Sequence, residues 1–162
     1  MNELTEILNV MVGLHREMLD VSLQKTDILK EGDVDNIQRV LVLERKLLRK
    51  IEKAEQSRME IVQNVYGGKG TEHTPPTITM ILEQIADQQE REQLERVTIE
   101  LTEVITELKA QEKLNLDLLN QSMQFVQMSL DLLQPSLKNM NYFDKSDQTI
   151  ETPNRSIFDS KA

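Results

Sequence analysis

Apolar side chains recur at alternating intervals of three and four residues along three long stretches of this chain, and that spacing belongs to helices packed along a common seam. In the first stretch the seam is Leu4, Ile7, Met11, Leu14, Met18, Val21, Lys25 and Ile28. In the second it is Ile37, Val40, Glu44, Leu47, Ile51, Ala54, Arg58, Ile61 and Val65. In the third it begins as Leu94, Val97, Leu101, Val104 and Leu108. Strands would need an alternation of two, and β-sandwiches and barrels use more aromatic residues than the 3% present here. Leu, Glu, Lys, Arg and Ala make up about two fifths of the chain, which suits long helices. With 162 residues, the expectation is one all-α domain, or one domain and a tail.

The breaks order these stretches. Gly32 suits the left-handed position that ends a helix, and Asp33 suits the cap of the next, with Asn36 nearby. So short a reversal predicts helices 4–28 and 34–65 lying antiparallel. Tyr66 to Pro76 reads as a loop, with three Gly and two Pro. Residues 77–86 fit a short helix. Asp87 with Glu90 three residues on resembles a capping box, and it opens a helix expected to run from Gln88 to Gln134 and stop at Pro135. The architecture expected is an antiparallel bundle or coiled coil of three main helices with a short extra one, spanning 1–137. Residues 138–162 are expected to be a disordered tail. Its aromatic clusters, Asn141-Tyr142-Phe143 and Ser156-Ile157-Phe158, are suited to a weak, exchangeable contact.

The third helix changes character past Leu108. Leu116, Leu119, Met123, Val126, Leu130 and Leu133 form a stripe shifted by one residue, widened by Leu118, Phe125 and Leu132. Three readings of this stripe stand side by side: core, a partner-binding face, or a homodimer face. A helix of about 70 Å outruns partners of about 40 and 50 Å, which favours a binding face for its far turns. Met123 and Met128 add adaptable contact surface. Lys25, Glu44 and Arg58 are polar residues at seam positions, suited to fixing register. Antiparallel pairing predicts a Lys25–Glu44 contact and places Arg58 near Glu3 or Glu6.

Charge and missing residue types exclude several functions. The net charge of −9 disfavours nucleic acid and anionic lipid. No apolar run approaches the roughly 20 residues of a membrane span, and MNELTEILNV lacks the cations of a signal peptide, so a soluble cytoplasmic protein is expected. Cysteine is absent, which removes disulfides and thiolate chemistry. His15 and His73 sit in no metal-ligand or catalytic spacing and are read as surface residues. Gly67-Gly68-Lys69-Gly70 lacks the strand and the hydroxyl residue of a phosphate loop. Neither an enzyme nor a bound cofactor or metal is expected. Arg45, Lys46, Arg49, Lys50 and Lys53 form a basic run, read as pairing with the acidic third helix.

Two blocks carry a family likeness. The run LKEGDVDNIQRVLVLERKLLRKIEKAEQSR, with Gly32-Asp33, Glu44, Leu47-Leu48 and Arg58, resembles the FlgN family of flagellar export chaperones. LKAQEKLNLDLLNQSMQFVQMSLDLL, with Asn115 and Phe125, resembles that family's last helix, and the likeness covers about residues 1–137. The resemblance implies a chaperone that binds the aggregation-prone C-terminal segments of hook–filament junction proteins through its last helix. It would deliver them to the flagellar export machinery. The competing expectation is a self-associating coiled-coil adaptor using the same stripe.

Overall fold

A computed structural model describes residues 3–66 and 76–146, with side chains described as far as 133. The elements are α1 (Glu3–Glu31), α2 (Val34–Ile61), a π-helical turn (Val62–Tyr66), α3 (Ile78–Gln84) and α4 (Gln88–Ser146). No strand occurs among the described residues, so the all-α expectation holds. Among the described residues no helix is long and apolar enough to cross a membrane. The chain divides into two units, Met1–Asn120 and Gln121–Ala162.

The helix ends follow local chemistry. Gly32 takes φ +71°, and the amides of Gly32 and Asp33 both donate to the Ile28 carbonyl, at 3.0 and 3.3 Å. A side chain at that φ would be strained, so the glycine sets the reversal. Asp33 caps α2 by accepting from the Asn36 amide at 3.1 Å, and Asp87 caps α4 by accepting from Gln89 and Glu90. Thr77 caps α3.

Two boundaries differ from the spacing-based reading. The second helix passes into the π-helical turn at Val62. Widening by one residue per turn rotates the seam, so Val62 and Tyr66 are buried where Val65 was expected, and Val65 is exposed. The last helix runs through Pro135 to Ser146 rather than stopping at Gln134. Proline removes one amide donor, but an established helix extends without a new nucleation penalty. Residues 138–146, expected in the tail, are therefore helical backbone. Residues 147–162, with Ile157 and Phe158, lie outside the described residues, as do Gly67–Gly70 and His73.

In the first unit α1 and α2 pack antiparallel, and α4 runs parallel to α1, since Arg16 meets Glu100 and Thr26 meets Gln111. The apolar core sits at one end. It gathers Leu4, Leu8, Met11 and Val12 of α1 with Ala54, Val62 and Tyr66, then Ile81 and Ile85, then Leu94, Val97 and Leu101 of α4. The second helix uses its expected seam, with Val40, Leu47 and Ala54 buried. The first helix buries more than one seam because it has two neighbours. Alongside Leu4, Met11 and Met18 it buries Leu8, Val12, His15, Ser22 and Thr26. His15 is thus not a surface residue. Its ring Nδ1 meets the Met11 carbonyl at 2.7 Å, where it acts as a donor.

Candidate partner-binding site

The stripe residues are all exposed. Leu116 and Leu119 lie in the first unit, and Met123, Val126, Leu130 and Leu133 in the second, with exposures from 44% at Leu119 to 62% at Met123. Phe125, Met128 and Leu132 are more than half exposed as well. Large apolar side chains left in solvent side by side along one helix are what an interaction face looks like. The sequence stripe is therefore not the chain's own core.

The core seam of α4 does not shift at Leu108. It keeps its spacing through Gln111, Asn115 and Leu118, and two of those three are polar. Asn115 is 3% exposed. Its Nδ2 donates to the Ser22 carbonyl at 2.9 Å and to Ser22 Oγ at 3.0 Å, and its Oδ1 accepts from Thr26 Oγ1 at 2.5 Å. Thr26 Oγ1 also bonds the Ser22 carbonyl and accepts from Gln111 Nε2. These side chains make a buried polar belt joining α1 to α4. Because Asn115 points inward, Leu116, the next residue, is turned about 100° away from it, whereas Leu119, one turn on, lies at the exposed edge of the same face.

Lys25 completes the belt. Its Nζ lies 2.5 Å from Glu44 Oε1 and 2.8 Å from Glu112 Oε2, so one ammonium ties α1, α2 and α4 together. The expected Lys25–Glu44 contact is present, and Glu112 is an addition. Burial pulls the Lys25 ammonium down, but hydrogen bonds to Glu112 and Glu44 and the two carboxylate charges outweigh it and hold its pKa above the ordinary lysine value. Glu112 Oε1 is buried without a hydrogen-bond partner.

Arg58 does not reach Glu3 or Glu6. It forms a two-pronged pair with Glu55 one turn back in its own helix, at 2.7 and 2.8 Å. That geometry satisfies the guanidinium locally, without a cross-helix partner. The hydrogen bonds hold the Glu55 carboxyl below its ordinary value and the Arg58 guanidinium above its own. Nor does the basic run of α2 pair with α4. Among the described residues the cation bonding α4 besides Lys25 is Arg16, and Arg45, Lys46, Arg49, Lys50 and Lys53 form no ion pair.

Ser22, Thr26 and Gln111 escaped the spacing argument because it counts apolar residues. The signal available was the unbroken continuation of Leu94, Val97, Leu101, Val104, Leu108 by three and four to positions 111 and 115.

The family model described as "FlgN protein" matches residues 1–149. YvyG of Bacillus subtilis (strain 168), an uncharacterised protein, is 31% identical over 152 residues, covering 92% of this chain and 91% of the relative. No solved structure matches.

Proposed function

The chain belongs to the FlgN family of flagellar export chaperones, and from that premise we propose that it binds hook–filament junction proteins through the exposed stripe of α4. FlgN is a chaperone family rather than an enzyme family, and its members are in general soluble cytoplasmic proteins. The observation that carries the reading is the exposure of Leu116, Leu119, Met123, Val126, Leu130 and Leu133 on a helix whose core seam lies elsewhere. A client supplying an amphipathic helix would lay its apolar face on this stripe, hiding aggregation-prone surface until transfer to the flagellar export machinery. The methionines suit more than one client, because their side chains repack.

The test is the double substitution Met123→Asp/Val126→Asp. Both residues are more than half exposed in the free chain, so its stability should move by no more than about 0.5 kcal/mol per site. In the complex both carboxylates would be buried without partners, and affinity for a junction protein should fall by several kcal/mol, about a hundredfold or more. A folded variant with unchanged client affinity removes the stripe from the interface. Dissociation of a homodimer with client binding retained would assign the stripe to self-association, the adaptor reading.

A further inference from the structure

Two open apolar cavities flank the Lys25 bridge in the first unit. One, about 300 Å³, is lined by His15, Met18, Leu48, Ile51 and Leu108 together with Glu44 and Glu112. The other, about 250 Å³, is lined by Leu29, Ile37, Leu41, Leu116 and Leu119 together with Lys25, Glu112 and Asn115. They share Glu112, so they form consecutive stations of one groove between α2 and α4. Leu41 marks one station and Leu48 the other, seven residues apart, which is about 10.5 Å along a helix. That is the i to i+7 spacing of apolar anchors on an amphipathic helix laid along α2.

Charge specifies the occupant. Lys25 carries one positive charge at the groove floor against the two carboxylates of Glu44 and Glu112, and Glu112 Oε1 lacks a donor although it is buried. A buried acceptor left unmatched is unfavourable, and because the Glu112 side chain as a whole is 41% exposed, a donor that draws its carboxylate outward gains there. The rims have the opposite character. On α2, Arg45 and Arg49 follow Leu41 by one and two turns, within a run that holds five cations and, among Arg45 to Lys53, Glu52 alone as an acid. On α4, Lys109 and Lys113 precede Leu116 by seven and three residues on its face, and both are exposed. None of these cations forms an ion pair among the described residues. In a chain of net charge −9 such a cationic rim favours acidic flanks on whatever docks.

We propose that this groove docks an amphipathic helix of a protein partner: apolar anchors seven residues apart in the two cavities, acidic flanks against the α2 and α4 cations, and one Arg or Lys between the anchors donating to Glu112. The site is separate from the distal part of the stripe, Met123 to Leu133, and shares Leu116 and Leu119 with its near end.

The experiment titrates the full chain with a fluorescent, Ala-rich peptide of about 18 residues, long enough for about five turns. It carries Leu anchors at i and i+7, a central Arg and Glu flanks. Saturable binding is expected, weakened at least about tenfold between 50 and 500 mM salt as screening removes the flank attraction. Exchanging the Glu flanks for Lys should weaken binding by at least about tenfold. Leu48→Glu, an exposed position where folding is checked by circular dichroism, should do the same. Replacing the central Arg by Leu should weaken binding to the wild type but not to Glu112→Gln. Met123→Asp/Val126→Asp should leave this probe's affinity unchanged, whether or not it loses junction-protein binding, so failure of the groove and failure of the stripe are told apart. The proposal is overturned by equal affinity for Lys-flanked and Glu-flanked peptides, by wild-type affinity in folded Leu48→Glu, by loss of the probe in Met123→Asp/Val126→Asp, or by no binding at low salt. It is overturned as well if the wild type is a dimer that Leu48→Glu converts to monomer, which would make a second copy the occupant.

Discussion

Replacing Asn115 by Ala removes three hydrogen bonds at a position 3% exposed: two donated by Nδ2 to Ser22 and one accepted from Thr26 Oγ1. Each such bond contributes about 1 kcal/mol net, and Ser22 Oγ is left buried without this donor, so the loss should be about 2–4 kcal/mol. For a chain of this size that lowers the melting temperature by roughly 5–15 °C. The contrast that isolates the belt is the triple change Ser22→Ala/Thr26→Val/Asn115→Leu. Replacing the three buried side chains with apolar groups removes their unmatched atoms as well as the bonds, half-buried Gln111 can turn its amide to water, and stability should return to within about 1 kcal/mol of wild type. Urea unfolding of the three proteins, monitored by far-ultraviolet circular dichroism, supplies both values. If Asn115→Ala shifts stability by less than about 0.5 kcal/mol, the bonds at Asn115 are not holding α4 to α1 and the belt's structural role is refuted.

Three further outcomes follow from the same geometry. Lys25→Met leaves Glu44 and Glu112 facing each other without their shared cation and should cost about 2–4 kcal/mol near neutral pH, measured by chemical denaturation. The Lys25 pKa is raised on folding, so its contribution is complete below the ordinary value of 10.5 and is lost as pH rises through the higher folded value. The gap between wild type and Lys25→Met should therefore close in strongly alkaline solution, and a gap that stays constant there contradicts the bridge. Arg58→Ala should destabilise by no more than about 0.5 kcal/mol, because its partner Glu55 lies in the same helix and both side chains are about a third or more exposed. The Glu55 carboxyl is lowered on folding, so even this small contribution is present above its ordinary pKa and fades as pH falls through the folded value; a larger loss on melting would point to a cross-helix role after all.

The fold was legible where the chain repeats itself. Val40, Leu47 and Ala54, and Leu94, Val97 and Leu101, are buried at the expected three-four spacing, and Gly32 and Asp33 mark the reversal by backbone chemistry that few other residues supply. The α1 register was half legible. A helix with two neighbours buries two overlapping seams, and the second, through His15, Ser22 and Thr26, holds too few apolar residues for periodicity to find. Charge partners were the least legible. Long side chains choose between a neighbour one turn away and one across the interface, and Arg58 takes Glu55 because it needs no tertiary alignment. The stripe was visible as an apolar arc and the exposure of its far turns followed from helix length, but the exposure of Leu116 followed from Asn115, which spacing by hydrophobicity passes over.

That last connection explains why Leu116 stays in solvent next to a core that could use it. Heptad seams tolerate slippage and rotation, since apolar side chains pack against one another in several registers. Rotating α4 by one residue in the first unit would bring Leu116 toward α1, in the place of Asn115, and bury more apolar area. It would also pull Asn115 off Ser22 and Thr26, and Glu112 off Lys25, leaving buried polar atoms on two helices unmatched. Several bonds must break together, whereas burying Leu116 returns about 1.5–3 kcal/mol at most. The belt thus favours the register that keeps Leu116 outside. On this argument the triple apolar replacement, though stable, should lose register uniqueness: Leu116 should become protected, measured as slower labelling of a cysteine introduced there, and client affinity should fall. Labelling as fast as in the same cysteine substitution made on the wild-type chain would show that exposure of Leu116 does not depend on the belt.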